Sequence, residues 1–216
     1  MPQPAHPSAY DHLLTELERL PSIGRRSAER IAFALLRQPA SASKALADAI
    51  TAFRTNLKVC SITGHVSESD PCAIATDPKR DHHTVLVVEQ PSDVIAMEQT
   101  GAYQGSYHVL MGRLAPLDPA PFDTVGPGDL NLDTLLARIQ KGQSKQHPDY
   151  PEIKEIILGT NPTLEGDGTA LYLTDRLTDT GPTITRLARG LPTNANLQQA
   201  SKAVLTDALH ARRPPA

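Results

Sequence analysis

Three features are scarce in this sequence: an excess of charge of one sign, cysteine, and long apolar runs. The formal net charge is −3, so any contact with nucleic acid must come from a local cluster of basic residues. Two cysteines do not make a secreted disulfide scaffold, which indicates a reducing cytoplasm. No apolar stretch approaches membrane-spanning length, and the N-terminal stretch MPQPAHPSAY lacks a basic start followed by an apolar run. We therefore expect a cytoplasmic protein with no signal peptide and no membrane partner.

A tight turn followed by an arginine-rich helix occupies the stretch LPSIGRRSAERIAFALL, residues 20–36. Its apolar residues keep the spacing of one helical face, and Arg26, Arg30 and Arg37 fall together on the opposite side. Leucines upstream predict a first helix, which makes the turn a hairpin between two helices. The free N–H groups at the start of the second helix suit a phosphate oxygen. The predicted backbone-binding residues are Ile23, Gly24, Arg25, Arg26 and Arg30. An ordinary helical hairpin with solvated arginines would show the same spacing.

Strands and helices alternate from residue 84 onward. The segments TVLVVE, YHVLMG, EIILGT and TITRLA predict four strands, and Ser92 is predicted to cap the helix that follows the first of them. Such alternation predicts a mostly parallel sheet with helices on its faces. Further helices are predicted at 43–57, where the helix would cover the first two, and at 132–141, 169–177 and 203–209.

Acidic residues follow two of the predicted strands. Glu89 ends the first strand, Asp93 begins the next helix, and Glu165 follows the third strand. Ligands collect at the carboxyl ends of parallel strands, where acidic oxygens would suit Mg²⁺. The simpler interpretation is that Asp93 favours a helix N-terminus and that Glu165 caps the next helix.

The hairpin stretch resembles the signature of the bacterial RecR recombination mediators, and the resemblance covers nearly the whole chain. The segments VVEQPSD, HVLMGRLAPLD and ILGTNPTLEGDGTALYL resemble a Toprim domain. Toprim enzymes need an Asp-x-Asp pair after the third strand to hold a catalytic metal, but Gly159, Thr160 and Asn161 stand there. The resemblance therefore implies a binding surface rather than a nuclease or primase. It gives Glu89, Asp93 and Glu165 a role in partner contact and leaves Mg²⁺ at these acids open.

The resembled family has a zinc knuckle built from two Cys-x-x-Cys pairs, and this sequence departs from it. Cys60 and Cys72 occupy the first position of each pair, whereas Thr63 and Ala75 stand at the second positions. Structural zinc normally takes four nitrogen or sulfur ligands. The expected spacing is also missing from the other candidate ligands, which are His65, Asp77, His82 and His83. We expect no bound zinc, and the cysteines are predicted to be buried thiols or a close pair. A disulfide is disfavoured by the compartment.

The resemblance implies a multi-module α/β chain. Its predicted modules are a helical domain with the helix-hairpin-helix at 1–57, a degenerate knuckle at 58–79, a Toprim domain at 80–178 and a C-terminal strand-helix arm at 179–216. Arg212 and Arg213 could add to the basic surface.

The implied function is that of a non-enzymatic, nucleoid-associated DNA-binding mediator of recombinational repair. It would act with the RecO and RecF proteins to load recombinase on single-stranded DNA. Subunits would form a dimer or tetramer ring around DNA, so that several weak hairpins act together. One alternative is a Mg²⁺-dependent Toprim nuclease that uses Glu89 and Glu165. The other is a protein-interaction adaptor without DNA contact.

Overall fold

The computed structural model describes residues 8–114, 124–144, 150–191 and 196–212. The chain divides into two compact units, Met1–Leu57 and Lys58–Ala216. Throughout the described ranges, no helix is both long enough and apolar enough to cross a membrane.

The first unit contains three helices, which are α1 (Ser8–Glu18), α2 (Arg25–Leu36) and α3 (Ala40–Asn56). Its small core consists of Leu14 from α1 with Ala28 and Ala32 from α2, and the half-buried Ile23 of the turn packs against them. Small alanines on α2 allow the two helices to approach closely.

The third helix does not cover the first two in the way that the sequence predicted. None of its residues is buried, and Leu46, Ile50 and Phe53 are 46%, 62% and 66% exposed. Instead of closing the apolar faces of α1 and α2, its own apolar side lines an open groove with them. The predicted packing is therefore wrong, because helical spacing identifies an apolar face but not what lies against it.

The second unit is built around a parallel sheet. Its elements are β1 (Lys58–Val59), β2 (Val66–Ser67), α4 (Ala73–Thr76), β3 (Asp81–Val88), α5 (Pro91–Thr100), β4 (Gly105–Val109), β5 (Arg113–Leu114), β6 (Thr124–Val125), α6 (Leu132–Gln143), β7 (Glu155–Leu158), α7 (Leu164–Leu177), β8 (Thr183–Arg186), a 3₁₀ turn (Leu197–Gln199) and α8 (Lys202–His210).

The main sheet has the strand order β4-β3-β7-β8, and all three pairings are parallel. Residues on β3 alternate between two cores: Val85 and Val87 face residues of α6 and α7, whereas Leu86 and Val88 face α5. Both faces are covered, so β3 is a nearly continuous apolar run. The predicted mostly parallel sheet flanked by helices is confirmed.

Three details of the prediction differ from the structure. The strand β8, predicted as a fourth strand but placed within the bounds of the C-terminal arm, pairs with β7 in the sheet. Helix α7 begins at Leu164 rather than near residue 169, because the Thr163 hydroxyl accepts the Gly166 N–H at 3.1 Å and caps the helix. Ser92 does not cap α5, because Pro91 takes the first helical position and Gln90 is the N-cap residue.

Candidate nucleic-acid interface and Toprim edge

The hairpin turn is strained at Ser22 and not at Gly24. Ser22 has φ +61°, whereas Gly24 is extended at φ −89° and serves as the N-cap residue of α2. Gly24 therefore does not supply a positive φ to this turn, which is one of the two uses of a glycine beside a bound molecule, the other being a close approach. A Cβ added to Gly24 would meet no atom within 4 Å, so the space beside it is open. No side chain from the described part of the chain caps this helix start.

The arginines of the hairpin separate into two groups. Arg25 lies 3.8 Å from Asp11, 3.5 Å from Glu18 and 3.3 Å from Glu29, so its charge is largely balanced within the unit. Arg26 and Arg30 are exposed, and neither forms an ion pair with a described residue. The accessible positive charge of the hairpin therefore comes from Arg26 and Arg30, while Arg25 and Ile23 hold the turn in place.

The carboxyl ends of β3 and β7, with the first turn of α7, form the edge of the sheet that we call the Toprim edge. Glu89 is buried there, and both of its carboxylate oxygens accept hydrogen bonds from one residue. Its Oε1 accepts the backbone N–H of Asn161 at 2.9 Å, and its Oε2 accepts the side-chain amide of Asn161 at 2.7 Å. The first turn of α7 packs against Glu89 so closely that a side chain at Gly166 would clash, because a Cβ added there would lie 2.8 Å from Oε1. Glu89 thus ties the end of β3 to the loop that follows β7.

The residues around Glu89 do not fit a Mg²⁺ centre. Magnesium needs several oxygen ligands in octahedral geometry, whereas Glu89 is buried and each of its carboxylate oxygens accepts a hydrogen bond from Asn161. The described residues bring together no group of three or more Asp, Glu, His or Cys side chains that could hold a metal ion.

The other two predicted partner-contact acids occupy helix starts. Asp93 accepts the Gln90 backbone N–H at 2.8 Å and completes a capping box, as the simpler interpretation stated. Glu165 lies in the first turn of α7, but Thr163 is the cap. Hydrogen bonds from its own backbone N–H and from the Thr163 hydroxyl, with the charge of Arg113, hold the pKa of Glu165 below its ordinary value. The structure brings α7 beside Glu89. Glu165 is half-buried, whereas Glu89 is buried, so Glu165 is the more exposed of the two.

An ion-pair cluster at this edge was missed from sequence. Asp167 in the first turn of α7 contacts Arg186 at 2.6 Å and Arg189 at 3.1 Å. Arg189 and then Arg186 lower the pKa of Asp167 to about 2. Arg189 also lies 3.7 Å from Asp207 of α8, so the cluster ties the C-terminal helix to the sheet. An acid in a first helical turn and two arginines after a strand were the available signal. Arg213, the second arginine of the C-terminal pair, lies outside the described residues.

The knuckle residues come together without a complete ligand set. The Sγ of Cys60 accepts the Cys72 N–H at 3.3 Å, and the Thr63 hydroxyl lies 3.4 Å from the Sγ of Cys72. Both thiols are free and buried, and Ala75 contributes only its N–H, bonded to the Cys72 carbonyl at 3.0 Å. Two thiols, a hydroxyl and a methyl group do not fit tetrahedral zinc, and His65 does not join them as a third ligand.

The pKa values of the two thiols are shifted in opposite directions by their surroundings. Burial alone would raise the pKa of Cys60, but the N–H bond from Cys72 and the bonds from Thr63 outweigh it, so that its pKa lies below the ordinary value. Burial raises the pKa of Cys72. The knuckle is thus held by hydrogen bonds centred on Cys60 and Thr63.

Comparison with known proteins places the chain in a family. The model of the RecR helix-hairpin-helix matches residues 10–54, and the model of the Toprim domain matches residues 83–188. The chain is 43% identical over 208 residues to Recombination protein RecR of Rhodopirellula baltica, an alignment that covers 96% of this chain and 98% of that protein. It is 42% identical over 207 residues to the protein of the same name from Moorella thermoacetica, covering 96% and 97%. The relative of that name from Bifidobacterium animalis is 41% identical over 209 residues, covering 97% and 98%.

These matches agree with the geometry of both units. The matched Toprim region includes β8, which the structure places in the sheet. The matched hairpin region contains the turn and the two exposed arginines. The chain belongs to the RecR family.

Proposed function

We propose that this chain is a DNA-binding mediator of recombinational repair and that it acts without catalysing a reaction. The observation that carries the proposal is the pair of exposed arginines, Arg26 and Arg30, which form no ion pair with a described residue and lie beside the start of α2, where no described side chain acts as a cap. Backbone N–H groups and guanidinium groups at one helix end favour a phosphate and read no base. The name of the related proteins, Recombination protein RecR, supports the biological setting.

Binding by one hairpin should be weak and sensitive to salt. Each neutralised phosphate contributes a slope of about −0.9 in a plot of log affinity against log salt concentration, so two arginines give a slope near −2 per subunit. A net charge of −3 adds no general attraction. Several subunits on one DNA would raise the combined affinity without any new contact.

We further propose that copies of this chain associate and form a ring of two or four. An apolar groove in the first unit supports association, because it leaves leucine and isoleucine side chains open to solvent. Exposed apolar patches of this kind mark interaction sites. Leu13, Leu17, Leu36, Leu46 and Ile50 contribute to it.

The partner role that the family resemblance implies for the Toprim acids falls mainly on Glu165. We propose that Glu165 presents a charge to a protein partner such as RecO or RecF, in support of recombinase loading on single-stranded DNA. Glu89 is buried, so its proposed role is to position the first turn of α7, and Asp93 positions α5. A nuclease mechanism has no support from this edge, because the described residues there bring together no group of three or more acidic, histidine or cysteine side chains that could hold a metal ion.

The test is the affinity of Arg26→Glu/Arg30→Glu for a short DNA duplex across a salt series. We expect loss of binding in a normally folded protein, because two phosphate contacts become repulsive. The matched control is Lys44→Glu/Arg54→Glu on α3, which makes the same change in net charge and should reduce affinity far less. Unchanged duplex affinity in the folded Arg26/Arg30 variant would refute the hairpin assignment.

A further inference from the structure

The outward face of α2 carries more than the two hairpin arginines. Arg26, Arg30, Phe33 and Arg37 follow one another at i, i+4, i+7 and i+11, so they lie on one side of the helix. Phe33 is 51% exposed, although phenylalanine is a residue that folding normally buries. The face is therefore basic with an aromatic ring between its charges.

No acidic residue offsets these charges on α2. Glu29 is the only acid of the helix, and its carboxylate accepts from Arg25 Nε at 3.3 Å. Like Arg26 and Arg30, Arg37 forms no ion pair with a described residue. Three guanidinium groups on one helix face favour an anionic ligand that extends along the helix.

A shallow groove on this face lies between two of the charges. Its lining consists of Ser27, Arg30, Ile31, Phe33, Ala34 and Arg37. Along the helix Arg30 and Arg37 are about 10 Å apart, at 1.5 Å per residue, with Phe33 between them. Small side chains at 27 and 34 leave room beside the ring. The groove thus offers one flat apolar surface with a positive charge before it and another after it.

We propose that this face binds single-stranded DNA, with one unpaired base stacked on Phe33 and the flanking phosphates on Arg30 and Arg37. The proposal rests on the DNA-binding function above and extends it beyond the hairpin. A base in a duplex is stacked on its neighbours, so only an unpaired base can offer its face to the ring. Stacking of this kind tolerates every base, which keeps recognition independent of sequence.

The ring of Phe33 already has one aromatic contact within the first unit. The Tyr10 ring of α1 packs at 5.7 Å between centroids with an interplanar angle of 46°. Tyr10 therefore limits the motion of the Phe33 ring while leaving half of it accessible, which lowers the ordering cost of stacking. Phe33 also borders the apolar groove of the first unit, so a second copy of the chain is the competing occupant.

The experiment compares Phe33→Leu with Phe33→Trp. Leucine keeps an apolar side chain that a protein interface could accept but offers no flat ring, whereas tryptophan keeps the ring. The probes are a short oligo-dT strand carrying one fluorescent aminopurine base and a duplex of matched length. Mass in solution is measured for each protein.

We expect Phe33→Leu to weaken single-strand binding about tenfold and to abolish the stacking-induced quenching of aminopurine. Duplex affinity and mass should stay unchanged, and Phe33→Trp should retain both single-strand signals. Arg37→Gln should reduce the salt slope for the single strand by about 0.7, the contribution of one phosphate contact on single-stranded DNA.

Two results would overturn the proposal. One is a Phe33→Leu protein that binds and quenches the single strand like the wild type. The other is a change in mass with equal weakening on both DNA forms, which would make Phe33 a contact between copies. The duplex results with Arg26→Glu/Arg30→Glu are independent, so the hairpin function can survive when the stacking site fails.

Discussion

The Toprim edge and the knuckle are two places where the family resemblance implies metal ligands and where the structure shows hydrogen bonds between the residues at those positions. At the Toprim edge, Asn161 stands where enzymes carry a carboxylate, and it donates to both oxygens of Glu89. At the knuckle, Thr63 stands where the family has a cysteine, and its hydroxyl contacts Cys72. In both places, a neutral polar side chain bonds to the ligand that remains.

The two replacements differ in completeness. Asn161 uses its amide and its backbone N–H, so the buried Glu89 carboxylate has a partner for each oxygen. At the knuckle one ligand position is Ala75, which has no polar side chain, and the rest depends on weaker bonds that involve sulfur. The comparison shows a buried carboxyl group with a hydrogen-bond partner for each oxygen, whereas the buried thiols have only a partial set of partners.

The largest effect is expected for Asn161→Asp. A second carboxylate beside the buried Glu89 would replace the side-chain amide donor with a like charge and leave only the backbone N–H of residue 161, at a cost of about 3 kcal/mol in the free energy of unfolding. The pKa of one acid would rise, so the loss should be large at alkaline pH and shrink as the pH falls and a proton binds. Urea unfolding at several pH values measures it. Asn196→Asp on the exposed C-terminal segment is the control, and equal stability of both variants would show that Asn161 is dispensable.

The next effect concerns His108 on β4, the strand beside the knuckle. Burial, only partly opposed by the bond to the Asn131 carbonyl, lowers the pKa of this fully buried imidazole to about 4. The unfolded chain binds the proton near pH 6.5, so folding stability should be intact above that pH and fall as the pH drops toward 4. A difference of about 2.5 pH units corresponds to at most about 3 kcal/mol.

Circular dichroism is the suitable probe for this pH dependence, because the chain has no tryptophan. His108→Gln should flatten the dependence between pH 6.5 and 4, whereas His12→Gln on the exposed side of α1 should leave it intact. If His108→Gln and the wild type lose stability in parallel, another group is responsible.

A smaller effect is expected for Thr63→Ala. The Thr63 hydroxyl contacts Cys72 and also accepts the His65 N–H at 3.2 Å, and alanine would leave that N–H without its partner. We expect a loss of about 1 kcal/mol in thermal or urea unfolding. Thr63→Ser keeps the hydroxyl and should restore most of it. A Thr63→Ser protein as unstable as Thr63→Ala would assign the effect to packing of the lost methyl group.

The smallest effect, no change, is expected when a chelator is added to the wild-type protein, because its knuckle offers no tetrahedral ligand set. Thr63→Cys/Ala75→Cys should bind one zinc and become sensitive to the same chelator. Metal analysis with thermal unfolding measures both. A wild-type melting temperature that drops with chelator would show that other ligands complete the site.

Much of this architecture follows from local pattern. The four strands were predictable because β-branched runs alternate with helical spacing, and the hairpin was predictable from its turn residues and arginines. The packing of α3 was not predictable, since the spacing of an amphipathic helix identifies its apolar face but not the element that packs against that face. The start of α7 was predicted too late. Gly166 and Gly168 disfavour a helix there, but the Thr163 cap begins it.

The sequence predicted which residues form the site better than it predicted what each of them does. Glu89 and Asn161 were identified from their positions after β3 and β7. Only the folded chain shows that Asn161 donates hydrogen bonds to both carboxylate oxygens of Glu89. The separation of Arg25 from Arg26 and Arg30 depends on Asp11 and Glu18 of another helix. Contacts between distant segments of sequence set such roles, and a spacing pattern contains no information about them.

The knuckle has a consequence for how this protein avoids aggregation. The backbone N–H of Val109, on the outer edge of β4, donates to the Thr63 carbonyl at 2.7 Å. An uncovered edge strand is a template for pairing with other chains, and covering it with a loop is one of the ways in which proteins prevent this. In this chain the Thr63 carbonyl of the knuckle occupies the edge N–H of Val109, the last residue of β4, so we expect the knuckle to hinder intermolecular strand pairing at that end of the sheet.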